Sequence, residues 1–231
     1  MNVFSRIGNV FVAPSKCFDS IQEQGKKWTD YVIPFILLVA MVVVFMAMTS
    51  DLMQQASVDA IMKMDQLSDA QKQVAIQQQN SPVVNIIKYA SSVVVTAVSV
   101  LIGALIMWVV GNFIGGGDQK YGTLLVTALY IQMISIPESI IKLILMLQKE
   151  ATTVYIGFAS LVSEPNLSSF GFQALGQLEF FKIWRIIVWV IAFKVLYKFT
   201  GKKSTLLVVI TMILGMLLQA LWTSFQMGRM G

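Results

Sequence analysis

Glu138 and Lys142 stand four residues apart, acid first, inside an otherwise apolar stretch, a spacing that brings opposite charges onto one helical face. Lys182 and Arg185 stand three apart at the start of another such stretch, with Glu179 three residues before Lys182 and within reach of it as an ion-pair partner. Ionisable groups in apolar surroundings either neutralise one another or line a polar cleft for an ion, a lipid head group or a partner helix. Pro137 removes a backbone donor beside Glu138 and predicts a kink there. The candidate intramembrane polar site is therefore Pro137, Glu138, Lys142, Lys182 and Arg185, with a Glu138 to Arg185 contact as its most specific expectation. The competing reading is a purely structural pair that pins its helix.

Other chemistries are bounded by what is missing. With no His and with Cys17 as the lone thiol, the chain cannot build a Cys/His zinc site, a His-based triad, a haem axial His or an internal disulfide. The sequence contains neither a paired-carboxylate nor a nucleophile motif. No enzyme activity, metal or cofactor is expected. IGGGDQK lacks the order of a phosphate-binding P-loop. The 14 Met residues read as adaptable packing rather than a copper-thioether site.

The elements that must position these residues follow from composition. At 56% apolar and 13% charged over 231 residues, the chain lies far from soluble proteins, which average about 25% charged. A helix of about 20 residues crosses the roughly 30 Å hydrocarbon layer. Five runs of that kind are expected, over 31–49, 89–114, 121–147, 180–197 and 205–225. The third contains Glu138 and Lys142. Its thirteen Leu, Ile or Val residues contribute roughly −4 to −8 kcal/mol against about +5 to +7 for two midplane charges. Insertion would be near break-even, so the pair must lie off the midplane, touch other helices or face water.

The first 27 residues are too long and mixed for a basic leader region, so the first run is expected to stay in place. Lys and Arg in the short connections set orientation. Arg6, Lys16, Lys26, Lys27, Lys120, Lys198, Lys202 and Lys203 fall on one side; Lys63, Lys72, Lys88, Lys149 and Arg229 fall on the other. The bias predicts a cytoplasmic amino terminus and an extracytoplasmic carboxyl terminus, with Trp28 and Trp222 near opposite faces. The +5 net charge is that of a basic cytoplasmic edge, continued by Lys194, and is too spread for nucleic-acid binding.

Residues 1–27 read as an amphipathic segment. Pro14 suits a first helical turn, Phe18 and Ile21 share an apolar face, and Lys16 lies on the polar one. Pro14, Lys16 and Phe18 are the candidate interfacial motif. A surface anchor and a cap packed on the bundle share this pattern, and both stand. Residues 51–88 predict two short outer helices, the second opened by a Ser68 and Gln71 capping box, with Met53, Ile61, Met64 and Leu67 facing the bundle. Residues 148–179, with Glu150, Glu164 and Glu179, make a second outer connection. GNFIG at 111–115 matches a helix-pairing motif, yet it runs into Gly116 and Gly117 and reads as a turn.

Five runs joined to three local signatures carry a resemblance. APSKCFDSI resembles the Pro-x-Lys-x-Phe opening of bacterial members of the Ypt-interacting-protein (Yip) domain family. GGGDQKYGTLLVTALYIQMISIP resembles that family's Gly-rich turn, aromatic and third-helix proline. FFKIWRIIVWVIAFKVLYKFTGKKSTLLVVI resembles its fourth span, basic turn and fifth span, with Phe181, Trp184, Lys202 and Lys203 in place. The resemblance implies a polytopic helical domain with a cytoplasmic amino terminus and no established enzymatic activity. Eukaryotic relatives interact with Rab-type GTPases, whereas some bacterial relatives look like companions of ABC-type exporters. This chain lacks the long cytosolic amino-terminal region of the former, which favours a prokaryotic member in a bacterial cytoplasmic (inner) membrane.

The reading is an all-α integral membrane protein: an amphipathic segment 1–27, then a domain 28–231 of five transmembrane helices with a small extracytoplasmic helical loop. Its expected role is a scaffold or accessory subunit, with membrane lipids and another membrane protein as partners and a second copy of the chain as a further option. The alternative is a transporter or lipid-handling protein using the cleft around Glu138 and Lys142.

Overall fold

Helix propensity carries the first long element of the computed structural model past its apolar run; the structure describes residues 1–79, 81–163 and 166–228. Ten α-helices are present among these residues, with no strand. Helices α1 (Val3–Val12) and α2 (Pro14–Gln24) precede α3 (Trp28–Met62), which does not stop at Asp51. Residues 51–62, DLMQQASVDAIM, contain no Gly or Pro, so the helix continues for 35 residues, about 52 Å. It rises roughly 20 Å beyond a hydrocarbon layer.

The expected pair of outer helices is thereby corrected. Only α4 (Asp69–Gln79) is separate; the rest of 51–88 extends α3 and the start of α5 (Pro82–Val109). The capping box does form: the Ser68 amide donates to Gln71 Oε1 at 2.9 Å and the Gln71 amide to Ser68 Oγ at 3.4 Å. Of the four residues expected to face the bundle, Ile61 alone is buried; Met53 and Met64 are exposed and Leu67 is half-buried. The extension carries Met53 beyond the apolar run, and Met64 and Leu67 lie past the end of α3. Ser81 caps α5, its Oγ accepting from the Val84 amide, and Pro82 fills the first position where no donor is needed.

The third run divides into α6 (Tyr121–Gln132) and α7 (Ser135–Lys149). Pro137 cannot donate to the Met133 carbonyl, and around it the Met133, Ile134 and Ile136 amides make tighter bonds three residues back. The expected kink is this break. A connection containing α8 (Phe170–Gly176) leads to α9 (Phe180–Tyr197) and then α10 (Gly201–Gly228). Glu164, of that connection, and Arg229, counted for orientation, lie outside the described residues.

Among the described residues four elements are long and apolar enough to cross a membrane: Trp28–Met62, Pro82–Ile114, Tyr121–Lys149 and Gly201–Met227. The fifth expected run is α9, at 18 residues about 27 Å long, with three cations, Lys182, Arg185 and Lys194, among its apolar residues. The third run is the central one, with 56% of its most apolar window buried, against 17% for the first and last.

Contacts sort the helix ends into two groups. At one end Lys26 donates to Thr123 Oγ1, Tyr31 donates to the Gly122 carbonyl, and the Gln119 amide group donates to the Leu196 carbonyl. At the other end Lys142 meets Glu179, and Ser224 donates to the Ser168 carbonyl. Trp28 and Trp222, 72% and 62% exposed, mark opposite ends.

Glycines at the first end give up side chains to admit a ring. A π-helical turn (Val110–Ile114) closes α5. A Cβ on Gly111 would lie 2.2 Å from Tyr197 Cζ, and one on Gly117 2.2 Å from Tyr197 Cδ1. The turn expected at 111–115 is displaced: residues 111–114 belong to the π-helical turn, and the chain reverses just beyond it, where Gly116 adopts φ +66°. Gly111→Ala should therefore lower the melting temperature in detergent, by an overpacking cost of about 1–3 kcal/mol. An unchanged melt would remove the ring's claim on that space.

The two amino-terminal helices form a packed cap. Val10, Cys17, Phe18 and Ile21 are buried in the main core, and α2 packs on α9. Pro14 opens α2, Phe18 is fully buried and Lys16 is exposed on the outer face. A surface anchor would instead leave Phe18 free to enter lipid. Phe4 and Val12 of α1 do remain exposed. Burial also pushes the Cys17 thiol up to about 12. A maleimide should leave Cys17 unlabelled in the folded protein from either side and label it after denaturation, so protection of this thiol carries no information on sidedness.

Candidate functional site

Ion pairs on α7 and α9 assemble where the third run is broken. Because α7 restarts at Ser135, Glu138 falls in its first turn, where the helix dipole favours a carboxylate. Glu138 Oε1 accepts from Lys142 Nζ at 2.9 Å, the pairing expected from their spacing. Glu138 Oε2 accepts from Arg185 Nη1 at 2.6 Å, which is the expected contact between α7 and α9. Lys142 Nζ also reaches Glu179 Oε2 at 2.8 Å, and Glu179 is the residue that precedes the first turn of α9.

The expected Glu179 to Lys182 pair does not form; Lys182 Nζ donates to Gln177 Oε1 at 2.6 Å instead. Glu179 sits in extended backbone ahead of the helix, bridged to Gly157, which carries its carboxylate across to α7. The spacing i, i+3 counts only where both residues are helical. The chain Arg185, Glu138, Lys142, Glu179 thus alternates in sign, with side chains between 6% and 24% exposed. Pro137 contributes no ion contact; it sets the break that positions Glu138.

The cluster borders a cleft of about 490 Å³ between α3, α5 and α7, lined by Phe45, Ser92, Ser139, Glu138, Lys142 and Arg185. A wider opening of about 740 Å³ shares Phe45, Met46 and Ser92 and runs on past Lys88. Among the described residues no group of His, Cys, Asp and Glu is gathered as a metal site.

A second charged cluster was not foreseen. Arg6 of α1, 3% exposed, meets Asp30 of α3 at 2.9 Å. Arg6 also donates through Nε to Ser20 Oγ and through Nη2 to the Ser20 and Gly25 carbonyls. Asp30 accepts from Tyr130 OH at 2.5 Å and from the Lys27 amide at 2.7 Å. This network ties cap, first span and central helix together. Arg6 counts toward orientation as a charge of a short connection, and Asp30 stands just before the first apolar run. The available signal was one charge in each of two apolar segments, a pattern without periodicity.

Neither a characterised relative nor a solved structure shows significant similarity to the chain. The family model of the Yip1 domain, in contrast, matches residues 8–223 and so takes in most of the cap, the break at Pro137 and the whole α7–α9 ion cluster, while Arg6 of the second cluster lies just before it. An all-helical chain with several membrane-length apolar helices, matched over nearly its whole length, belongs to the Yip1 domain family.

Proposed function

We propose that this protein is a non-enzymatic scaffold or accessory subunit of a bacterial inner-membrane assembly, an ABC-type exporter being one such assembly, with its amino terminus cytoplasmic and its carboxyl terminus outside. The observation that carries this reading is the closure of Arg185, Glu138, Lys142 and Glu179 upon one another. Both oxygens of Glu138 are held, by Lys142 and Arg185, and Lys142 is shared with Glu179. A carboxylate occupied in this way is a tie between helices rather than a waiting ligand. Binding surface is plentiful: α10 exposes Leu214, Leu218 and Leu221, and Lys202 and Lys203 stand on the basic rim.

The test has two arms. Reconstituted alone in liposomes, the protein should move neither solute nor lipid. A photo-crosslinker placed at Leu218 or Lys202 in native membranes should join it to one defined membrane protein. Activity in liposomes that disappears on Glu138→Gln would overturn the scaffold reading. It would favour the alternative, a transporter or lipid handler, which draws its support from the 490 Å³ cleft beside the cluster.

A further inference from the structure

Among the described residues at the Glu179 end of α9, charge balance leaves one cation over. Arg185, Glu138, Lys142 and Glu179 cancel in alternation, whereas the half-buried ammonium of Lys182 bonds to the neutral amide of Gln177. A cation at such a site favours an anion close by. Lys182 and Arg185 line a separate cavity of about 380 Å³ between α5, α6, α9 and α10.

This cavity is polar at one end and apolar at the other. Lys182, Gln177 and Gln219 lie toward the end where α10 meets the outer connection. Trp189, seven residues after Lys182, and Met212, seven residues before Gln219, lie about 10 Å closer to the basic end, on the same cavity as Ile106 and Met107. Helices α5 and α10 converge at the π-helical turn, and the cavity separates them beyond it. Two glycines on its wall, Gly103 and Gly215, would point a Cβ into open space. Unlike Gly111 and Gly117, they do not make room for a neighbouring side chain; the room they leave is empty.

We propose that this crevice holds one phospholipid with a net anionic head group, its phosphate beside Lys182 and Arg185 and an acyl chain lying between α5 and α10. The gradient from cation to hydrocarbon along one cavity matches the gradient along a lipid, and the surplus positive charge selects a head group of net negative charge. A soluble phosphate would satisfy the polar end alone. The inference does not depend on the scaffold reading, because it concerns the purified chain without a partner.

The test uses the full chain, delipidated in neutral detergent and offered phosphatidylglycerol, phosphatidylcholine of the same acyl chains, or inorganic phosphate, with bound molecules counted by native mass spectrometry. One phosphatidylglycerol should be retained per chain, about fivefold more tightly than phosphatidylcholine, with no bound phosphate. Lys182→Gln should erase that preference. Gly215→Leu fills the crevice without touching the ion cluster and should weaken retention of both lipids at an unchanged melting temperature in detergent. Equal retention of the two lipids by the unaltered protein overturns the proposal. Full retention by Gly215→Leu, or phosphate bound as well as lipid, does the same.

Discussion

Arg6→Ala should destabilise the folded protein by about 3–5 kcal/mol, the cost of leaving one member of a buried ion pair uncompensated. Asp30 is 2% exposed, so its carboxylate cannot turn to water when the guanidinium is gone. The loss extends beyond one bond, since Arg6 also satisfies the Ser20 hydroxyl and the Ser20 and Gly25 carbonyls, the groups that fix the cap's last turn. Tyr130→Phe removes one hydrogen bond to Asp30 and leaves the ion pair, so its effect should be smaller, about 1–3 kcal/mol. The paired change Arg6→Met with Asp30→Asn should recover most of the stability lost in Arg6→Ala. Melting temperature in detergent ranks these variants; an Arg6→Ala protein as stable as its parent would show that the cap contributes little.

Glu138→Leu should have an effect of similar size for a different reason. Lys142 keeps Glu179, but Arg185 loses its carboxylate while still enclosed between helices. Breaking such a pair costs about 3–5 kcal/mol when the remaining charge is buried. Side-chain exposures of 18% and 24% for Arg185 and Lys142 place the expected loss at the lower end of that range. Glu138→Gln retains acceptor and shape and should cost less. The ordering Leu worse than Gln, read as melting temperatures, separates charge compensation from packing. Equal melts for Glu138→Leu and the parent would argue that α7 and α9 are held together by apolar contacts alone.

Residue spacing made part of this site legible. Glu138 and Lys142 share a face by helix geometry, and Arg185 was drawn to them because a charge in hydrocarbon needs a partner. The break beside Glu138 followed from proline's missing donor. Glu179 escaped correct assignment because its backbone is extended, so the helical spacing to Lys182 did not apply. The reach of α3 to Met62 was underestimated because apolarity marks where a helix enters lipid, and helix propensity decides where it ends. Gly111 and Gly117 read as turn residues, and only the packing of Tyr197 against them revealed their second role. The Arg6 and Asp30 tie joins residues whose separation obeys no period, so it becomes visible only in three dimensions.

The proposed topology has an odd number of crossings and so leaves the two ends of the chain in different compartments. Single cysteines at Glu23 and Gln226, both exposed, report the two ends directly, and buried Cys17 can stay because its thiol is protected. A membrane-impermeant maleimide added to intact cells should label Gln226→Cys at once and Glu23→Cys only after permeabilisation. Labelling of both in intact cells, or protection of both until the membrane is opened, would place the ends on one side and contradict the five-helix arrangement.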